Sequence, residues 1–218
     1  MQLDGTLGEK QDHWVERQKT AGRHLVAMID GLLGFVRLDG GREVVEPAPV
    51  DGRTLAGEAH ALLYPLAYEK GLTFELEVPD AEVAMVTDVA KARQILANLC
   101  GNAVKYTDTG GVRLRLSGNG DRALFEVTDT GIGIAPEHHE HIFERFWQVH
   151  DGASRPSSGL GIGLAAARAY ARLLGGDVEV ESALGGGSTF RLWLPAEQAR
   201  ASDGGPSDVS SRVTAGGG

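Results

Sequence analysis

Two pairs of strand-like segments, each joined by a turn too short for a crossover, limit this chain to folds whose sheet contains antiparallel neighbours. VRLRLSG and RALFEVTD are separated by the turn Asn119-Gly120-Asp121, and DVEVES and STFRLWLP surround ALGGG. Parallel neighbours would need a connection of roughly a dozen residues or more. A doubly wound nucleotide fold, with strands and helices alternating throughout, does not fit this order. The elements after Gly71 predict an α+β chain, a two-layer α/β sandwich with a mixed sheet and helices on one face.

Helical spacing supplies the other layer. Trp14, Leu25, Met28, Ile29, Leu32, Leu33 and Val36 recur at helical intervals over residues 10 to 38, before Gly40-Gly41. A lone helix cannot bury that stripe, so it requires a partner helix from this chain or another. A Pro-containing extended link leads to a second helix, about Arg53 to Lys70, with Pro65 as a point of kinking and Gly71 as its stop. LTFELEV reads as a strand, and a third helix runs from about Asp88 to Tyr106. Downstream, Pro136 opens a short helix, and a longer one spans about Gly161 to Leu174. From Ala196 onward the residues are small and polar without periodicity, which predicts a disordered tail.

Composition narrows the partners. A formal charge of -9 gives no general attraction for nucleic acid or an anionic membrane. The one cysteine, Cys100, leaves no internal disulfide and no multi-cysteine zinc site, and fits a reducing cytoplasm. No apolar run approaches the roughly 20 residues that span a bilayer, and MQLDGTLGEKQD lacks a signal peptide's basic and apolar regions.

Three segments carry residues suited to chemistry. In QILANLCGNAVKYT, Asn98, Asn102 and Lys105 share a helix face, while Leu96, Leu99, Cys100 and Ala103 lie on another. Such a face is either a solvated surface or a ligand face in which an amide oxygen meets Mg2+ and a lysine meets phosphate. In RALFEVTDTGIGIAP, period-two alternation puts Asp129 on the face of Phe125 and Val127. Its carboxylate is then either a helix-capping turn residue or an acceptor for an amine such as that of adenine, with Gly131 and Gly133 allowing a flat ring to approach. In SSGLGIGLAAARAYARLLGG, Gly159, Gly161 and Gly163 open a helix whose free N–H groups suit phosphate. That run lacks both the Lys-Ser/Thr ending of a P-loop and the preceding strand of a dinucleotide fingerprint. Arg155 and Arg168 read as phosphate partners or as solvated arginines, and Trp147 and Trp193 as packing residues. His138, His139 and His141 read as an exposed polar face in preference to a metal site.

In order, these motifs resemble the catalytic and ATP-binding domain of sensor histidine kinases, within the wider ATPase family of gyrase, Hsp90 and MutL. QILANLCGNAVKYT resembles its asparagine box, DTGIGI its first glycine box, IFERFWQ its phenylalanine box, GLGIGL its second glycine box and GGGSTF its last. The resemblance implies a Bergerat-type ATP-binding fold with ATP and Mg2+ as cofactors. It implies Asn98, Asn102 and Lys105 as catalytic residues, with Asn102 the Mg2+ ligand and Asn98 and Lys105 on the phosphate side, Tyr106 flanking the nucleotide and Asp129 reading adenine. It further implies nucleotide contacts from Gly131, Gly133, Ile134, Phe143, Gly159, Leu160, Gly161, Ile162, Gly163, Leu164 and Thr189. Phe143, Phe146 and the loop to Ser158 would form a lid.

Upstream, AGRHLVAMIDGLLGFVRLDGGREVVEPAPVD resembles the second helix of the family's dimerisation and phosphotransfer hairpin. The domains implied are 1–46 as this long helix, 47–195 as the ATP-binding unit and 196–218 as a tail. The family's first hairpin helix carries a phosphoacceptor histidine followed by an acidic residue. Neither His13 nor His24 has those neighbours, so the chain reads as beginning at the hairpin tip. The implied partners are a kinase chain or upstream helix bearing that histidine, a response-regulator receiver domain, and a homo- or heterodimer mate. A gyrase- or Hsp90-like hydrolase is the rival, but those relatives place a glutamate where this chain has Asn98. A regulatory pseudo-kinase acting by dimerisation is the third reading.

Overall fold

The hairpin around residue 120 sorts its side chains strictly. Val112, Leu114, Leu116, Ala123, Phe125 and Val127 are buried, while Arg113, Arg115 and Arg122 are exposed. In the computed structural model the described residues are 43–118, 120–148 and 161–196. The helix expected over 10–38, with His13 and His24, lies outside them, as do Asn119, Arg155, Ser158, Gly159, Leu160 and the expected tail beyond Ala196.

The elements are β1 (Ala48–Asp51), α1 (Gly52–Glu69), β2 (Thr73–Glu77), β3 (Ala84–Thr87), α2 (Val89–Tyr106), β4 (Gly111–Gly118), β5 (Arg122–Asp129), two short 3-10 turns (Pro136–His138 and His141–Phe143), α3 (Gly163–Leu173), β6 (Asp177–Ser182) and β7 (Ser188–Pro195). Five strands form one sheet in the order β2-β4-β5-β7-β6. β2 and β4 are parallel, joined through α2, and the other neighbours are antiparallel. This is the mixed sheet that the hairpins predict.

Two strands were not expected. The Pro-containing link holds β1, which pairs antiparallel with β3 as a separate two-stranded sheet. Four residues show too little alternation to reveal a strand, so only pairing over a distance defines them. The expected helix from Gly161 also begins later, at Gly163.

Aspartates open both long helices. Asp51 Oδ1 accepts the Arg53 N–H at 2.9 Å, and Asp88 Oδ1 accepts the Lys91 N–H at 3.1 Å. Burial alone would raise the Asp88 carboxyl, but the Lys91 ammonium and the Glu46 and Lys91 amides outweigh it and hold it below the usual range.

α2 lies against the inner face of the sheet. Ile95, Leu96, Leu99, Cys100 and Val104 are fully buried together with Leu114, Phe125, Val127 and Leu192. The outer face carries charge instead. Across β2, β4, β5, β7 and β6, the register aligns Glu77, Arg115, Glu126, Arg191 and Glu179 in one row of alternating sign. Arg115 pairs with Glu77 at 2.7 Å, and Arg191 reaches Glu126 at 3.1 Å and Glu181 at 2.8 Å. Exposed pairs of this kind contribute little to stability, because water screens them. Their larger effect is to keep that face in water, so that the helices can cover only the other one.

Phe125→Ala is expected to lower the unfolding free energy by about 3–5 kcal/mol, and Arg113→Ala by less than about 1 kcal/mol. Urea titration of the two variants measures the difference, and equal losses would contradict the division of faces.

Candidate functional site

The site begins on the half-buried side of α2. Asn98 Nδ2 donates to the Gly163 carbonyl at 3.1 Å, and Asn98 Oδ1 accepts from Gln94 at 3.3 Å. One amide therefore joins α2 to the first residue of α3. One turn further on, Asn102 is also half-buried, yet its amide has no hydrogen-bond partner among the described residues. The Lys105 ammonium lies 4.7 Å from the centre of the Tyr106 ring, which keeps its charge at the end of the helix.

Asp129 is the last residue of β5 and only 6% exposed. Its Oδ1 accepts the Gly131 N–H at 2.8 Å, and the Ser188 N–H also donates to the carboxylate. Burial pushes this carboxyl above its ordinary range, and the two amide bonds do not offset that shift. A carboxylate has roughly four acceptor positions, so a further N–H donor can still be received.

The turn after Asp129 is bound to two neighbours. A Cβ on Gly131 would lie 2.4 Å from the Tyr106 carbonyl oxygen, which also accepts the Ile132 N–H at 3.3 Å. Gly133 has φ 68° and its hypothetical Cβ would meet the Ala183 carbonyl oxygen at 1.9 Å, so no other residue fits there. The Ile134 N–H donates to Ser182 Oγ and the Gly185 N–H to the Ile132 carbonyl. The first and last glycine motifs thus form one unit behind the carboxylate.

On the far side, Ile142 is buried and Phe143 half-buried. The Arg168 guanidinium lies 4.5 Å from the Phe143 ring centre and pairs with Asp177 at 3.1 Å. Arg168 therefore ties α3 to this turn. Phe146 has φ 61° and donates its N–H to the Gly161 carbonyl at 3.1 Å. Gly161 itself has φ 67°, which is why helical backbone starts only at Gly163. Ile162 is buried and Leu164 half-buried against the core. Trp147 is flanked by the His138 and His141 rings, and His139 contacts the Ile134 carbonyl. Trp193 lies under the Arg122 guanidinium.

Thr189 is not brought to this site. Asp129 pairs with Ser188, so alternation sends Thr189 to the outer face, where it contacts Thr128 Oγ1 at 3.2 Å. Ser188 takes the inward place instead, 7% exposed, with its Oγ 3.0 Å from Ser182 Oγ. The signal was present in the motif: Phe190 must face the core, and Ser188 shares its parity. Ser182 carried the same signal, since it shares the parity of Val178 and Val180.

The donor set suits a hard cation bound mainly through water and phosphate. Asn102 offers one uncommitted amide oxygen, and no group of three His, Cys, Asp or Glu side chains among the described residues could hold a metal alone.

The raised Asp129 pKa carries a stability sign. Its ionised form is disfavoured in the fold, so the penalty is full above the folded pKa and disappears below the unfolded one, near 3.9. Asp129→Asn without nucleotide is expected to be as stable as the parent or more so at pH 7, with any gain shrinking as pH falls to about 4. Urea midpoints at the two pH values measure this; a gain that grows on acidification would contradict it.

Residues 87–198 match the family model described as histidine kinase-, DNA gyrase B- and HSP90-like ATPase. The chain is 37% identical over 218 residues to the sensor histidine kinase AruS of Pseudomonas aeruginosa, covering 97% of this chain and 22% of that protein. It is 34% identical over 196 residues to the circadian input-output histidine kinase CikA of Synechococcus elongatus, covering 88% and 26% respectively. Thus it spans about a quarter of the length of these relatives. Among solved structures, full-length ShkA in complex with AMPPNP is similar at a TM-score of 0.76 and 35% identity, covering 90% of this chain and 41% of that one. With the buried Asp129 turn, the asparagine face and the glycine-opened helix placed together, the chain belongs to the histidine kinase-, DNA gyrase B- and HSP90-like ATPase family.

Proposed function

We propose that residues 47–195 bind Mg-ATP and donate its terminal phosphoryl group to a histidine on a phosphoacceptor helix outside these 218 residues. The observation that carries this reading is that α2 is hydrogen-bonded to both other motifs, Asn98 to the Gly163 carbonyl at the start of α3 and the Tyr106 carbonyl to Ile132 in the turn whose Gly131 holds Asp129. The AMPPNP complex of the similar ShkA chain supports a nucleotide as the ligand.

In this reading Asp129 accepts the adenine amine, and Gly131 and Gly133 let the base approach. Tyr106 and Ile134 flank it. Asn102 would hold Mg2+, which supplies charge neutralisation for the phosphates when bound. Lys105 and the amides at the start of α3, around Gly163 and Leu164, face the phosphate end, together with the Gly159–Gly161 motif. Ser188 replaces Thr189 as the last motif's contributor, through its amide on Asp129. Phosphoryl transfer asks mainly for positioning and charge stabilisation, which these groups can supply.

Transfer is favoured over hydrolysis by Asn98. Its amide is held between Gln94 and Gly163 and has no basic lone pair with which to activate water. The phosphorylated histidine would in turn supply a response-regulator receiver domain in the cytoplasm, and the stripe over residues 14 to 36 would pair with a second helix in a homo- or heterodimer.

Calorimetry with Mg-AMPPNP tests the site. Asp129→Ala should weaken binding by about 10- to 150-fold, the range for a lost hydrogen bond to a charged group, with folding retained. Asn102→Ala should chiefly remove the Mg2+ dependence. Unchanged affinity in Asp129→Ala would refute the assignment. Incubated with labelled ATP, the chain should acquire no acid-labile phosphate on His13 or His24; such a phosphate would show that the acceptor lies within it.

A further inference from the structure

The end of α2 raises an accounting question. A helix leaves its last four carbonyls without intrahelical partners, and α2 ends beside the Asp129 turn with Thr107 in extended backbone, φ -103° and ψ 123°. No left-handed glycine closes it. The Ala103 carbonyl accepts the Thr107 hydroxyl at 2.7 Å, and the Tyr106 carbonyl accepts the Ile132 N–H at 3.3 Å. The remaining two, Val104 and Lys105, accept from Lys70 Nζ at 2.8 and 3.0 Å, and the same nitrogen reaches the Thr107 carbonyl at 2.8 Å. All three protons of one ammonium are thereby used.

Lys70 is aimed there by its own backbone. It caps α1, its N–H returns to Leu66 and Ala67, and Gly71 at φ 72° turns the chain so that the Leu72 N–H reaches Ala67. Leu72 is buried, which anchors the turn. The side chain leaves a fixed origin and ends on the neighbouring helix. Lys105, the basic residue in the last turn of α2, lies over the Tyr106 ring, and the ammonium bonded to the helix's terminal carbonyls is that of Lys70.

We infer that Lys70 is a positioning residue for the base-binding end of the nucleotide site. Its ammonium fixes the carbonyl end of α2, that end holds Ile132 and abuts Gly131, and Gly131 holds the Asp129 carboxylate. Lys70 touches neither Asp129 nor the asparagine face; it acts through the backbone of residues 104–107. The inference rests on the nucleotide reading above and deepens it.

Lys70→Met keeps the stem and removes the donors. Mg-AMPPNP and adenosine affinities are both expected to fall by about 10-fold, the scale of one or two net hydrogen bonds, because the base end moves and adenosine has no phosphates. Amide hydrogen exchange at Gly131 and Ile132 should accelerate by a similar factor, with Phe125 and Leu192 unchanged. Should Lys70→Met fail to fold, Lys70→Arg provides the same readouts at smaller size, since a planar guanidinium cannot converge on three carbonyls from one atom. Unchanged affinity and unchanged Ile132 exchange, with only a lower melting temperature, would make Lys70 an ordinary helix cap and overturn the inference. Asp129→Ala in parallel separates the two ideas: if it also binds normally, the nucleotide reading fails, and if it alone loses affinity, only the role of Lys70 falls.

Discussion

Taking a carboxylate out of water costs several kcal/mol unless other groups take its lone pairs, and Asp129 is nearly inaccessible at the end of a core strand. The Gly131 and Ser188 amides meet part of that need. Meeting it requires the chain to turn at once after β5 and β7 to begin directly opposite. Those requirements account for the close approaches at Gly131 and Gly133, the hydroxyl of Ser182 under Ile134, and the stitching of the turn to the end of α2. What is left over is a carboxyl with raised pKa and acceptor capacity beyond the two amides that hold it.

α2 has two duties that its sides keep apart. Its buried stripe from Ile95 to Val104 packs the sheet, and its half-buried stripe carries Asn98, Asn102 and Lys105. The sheet separates its faces in the same way, with an apolar inner face and an alternating row of charges outside. Because the outer face is satisfied by its own ion pairs, every covering helix is directed to the inner side. The site forms there, at the edge of the core, where backbone amides and carbonyls can be held by packing.

Much of this was legible in the residues. The two hairpins required antiparallel neighbours, and the helix over 89–106 announced both its stripes by spacing. β1 and β3 were not legible, since each is four residues long and is defined by its partner. Thr189 was assigned by its place in a motif, whereas the pairing of Asp129 with Ser188 gives the inward position to the serine. A one-residue shift along a strand reverses the face of a side chain, so a motif without its register leaves that choice open.

By itself the sequence determined the helices, the five strands of the main sheet and the apolar face of each, because period and composition are local properties of the chain. Only the tertiary structure decided which polar groups meet. Asn98 reaches Gly163 across 65 residues, and Lys70 reaches the carbonyls of α2 across 34 to 37. No local pattern encodes such meetings; they arise when two buried surfaces are pressed together and the hydrogen bonds at their margins must be satisfied.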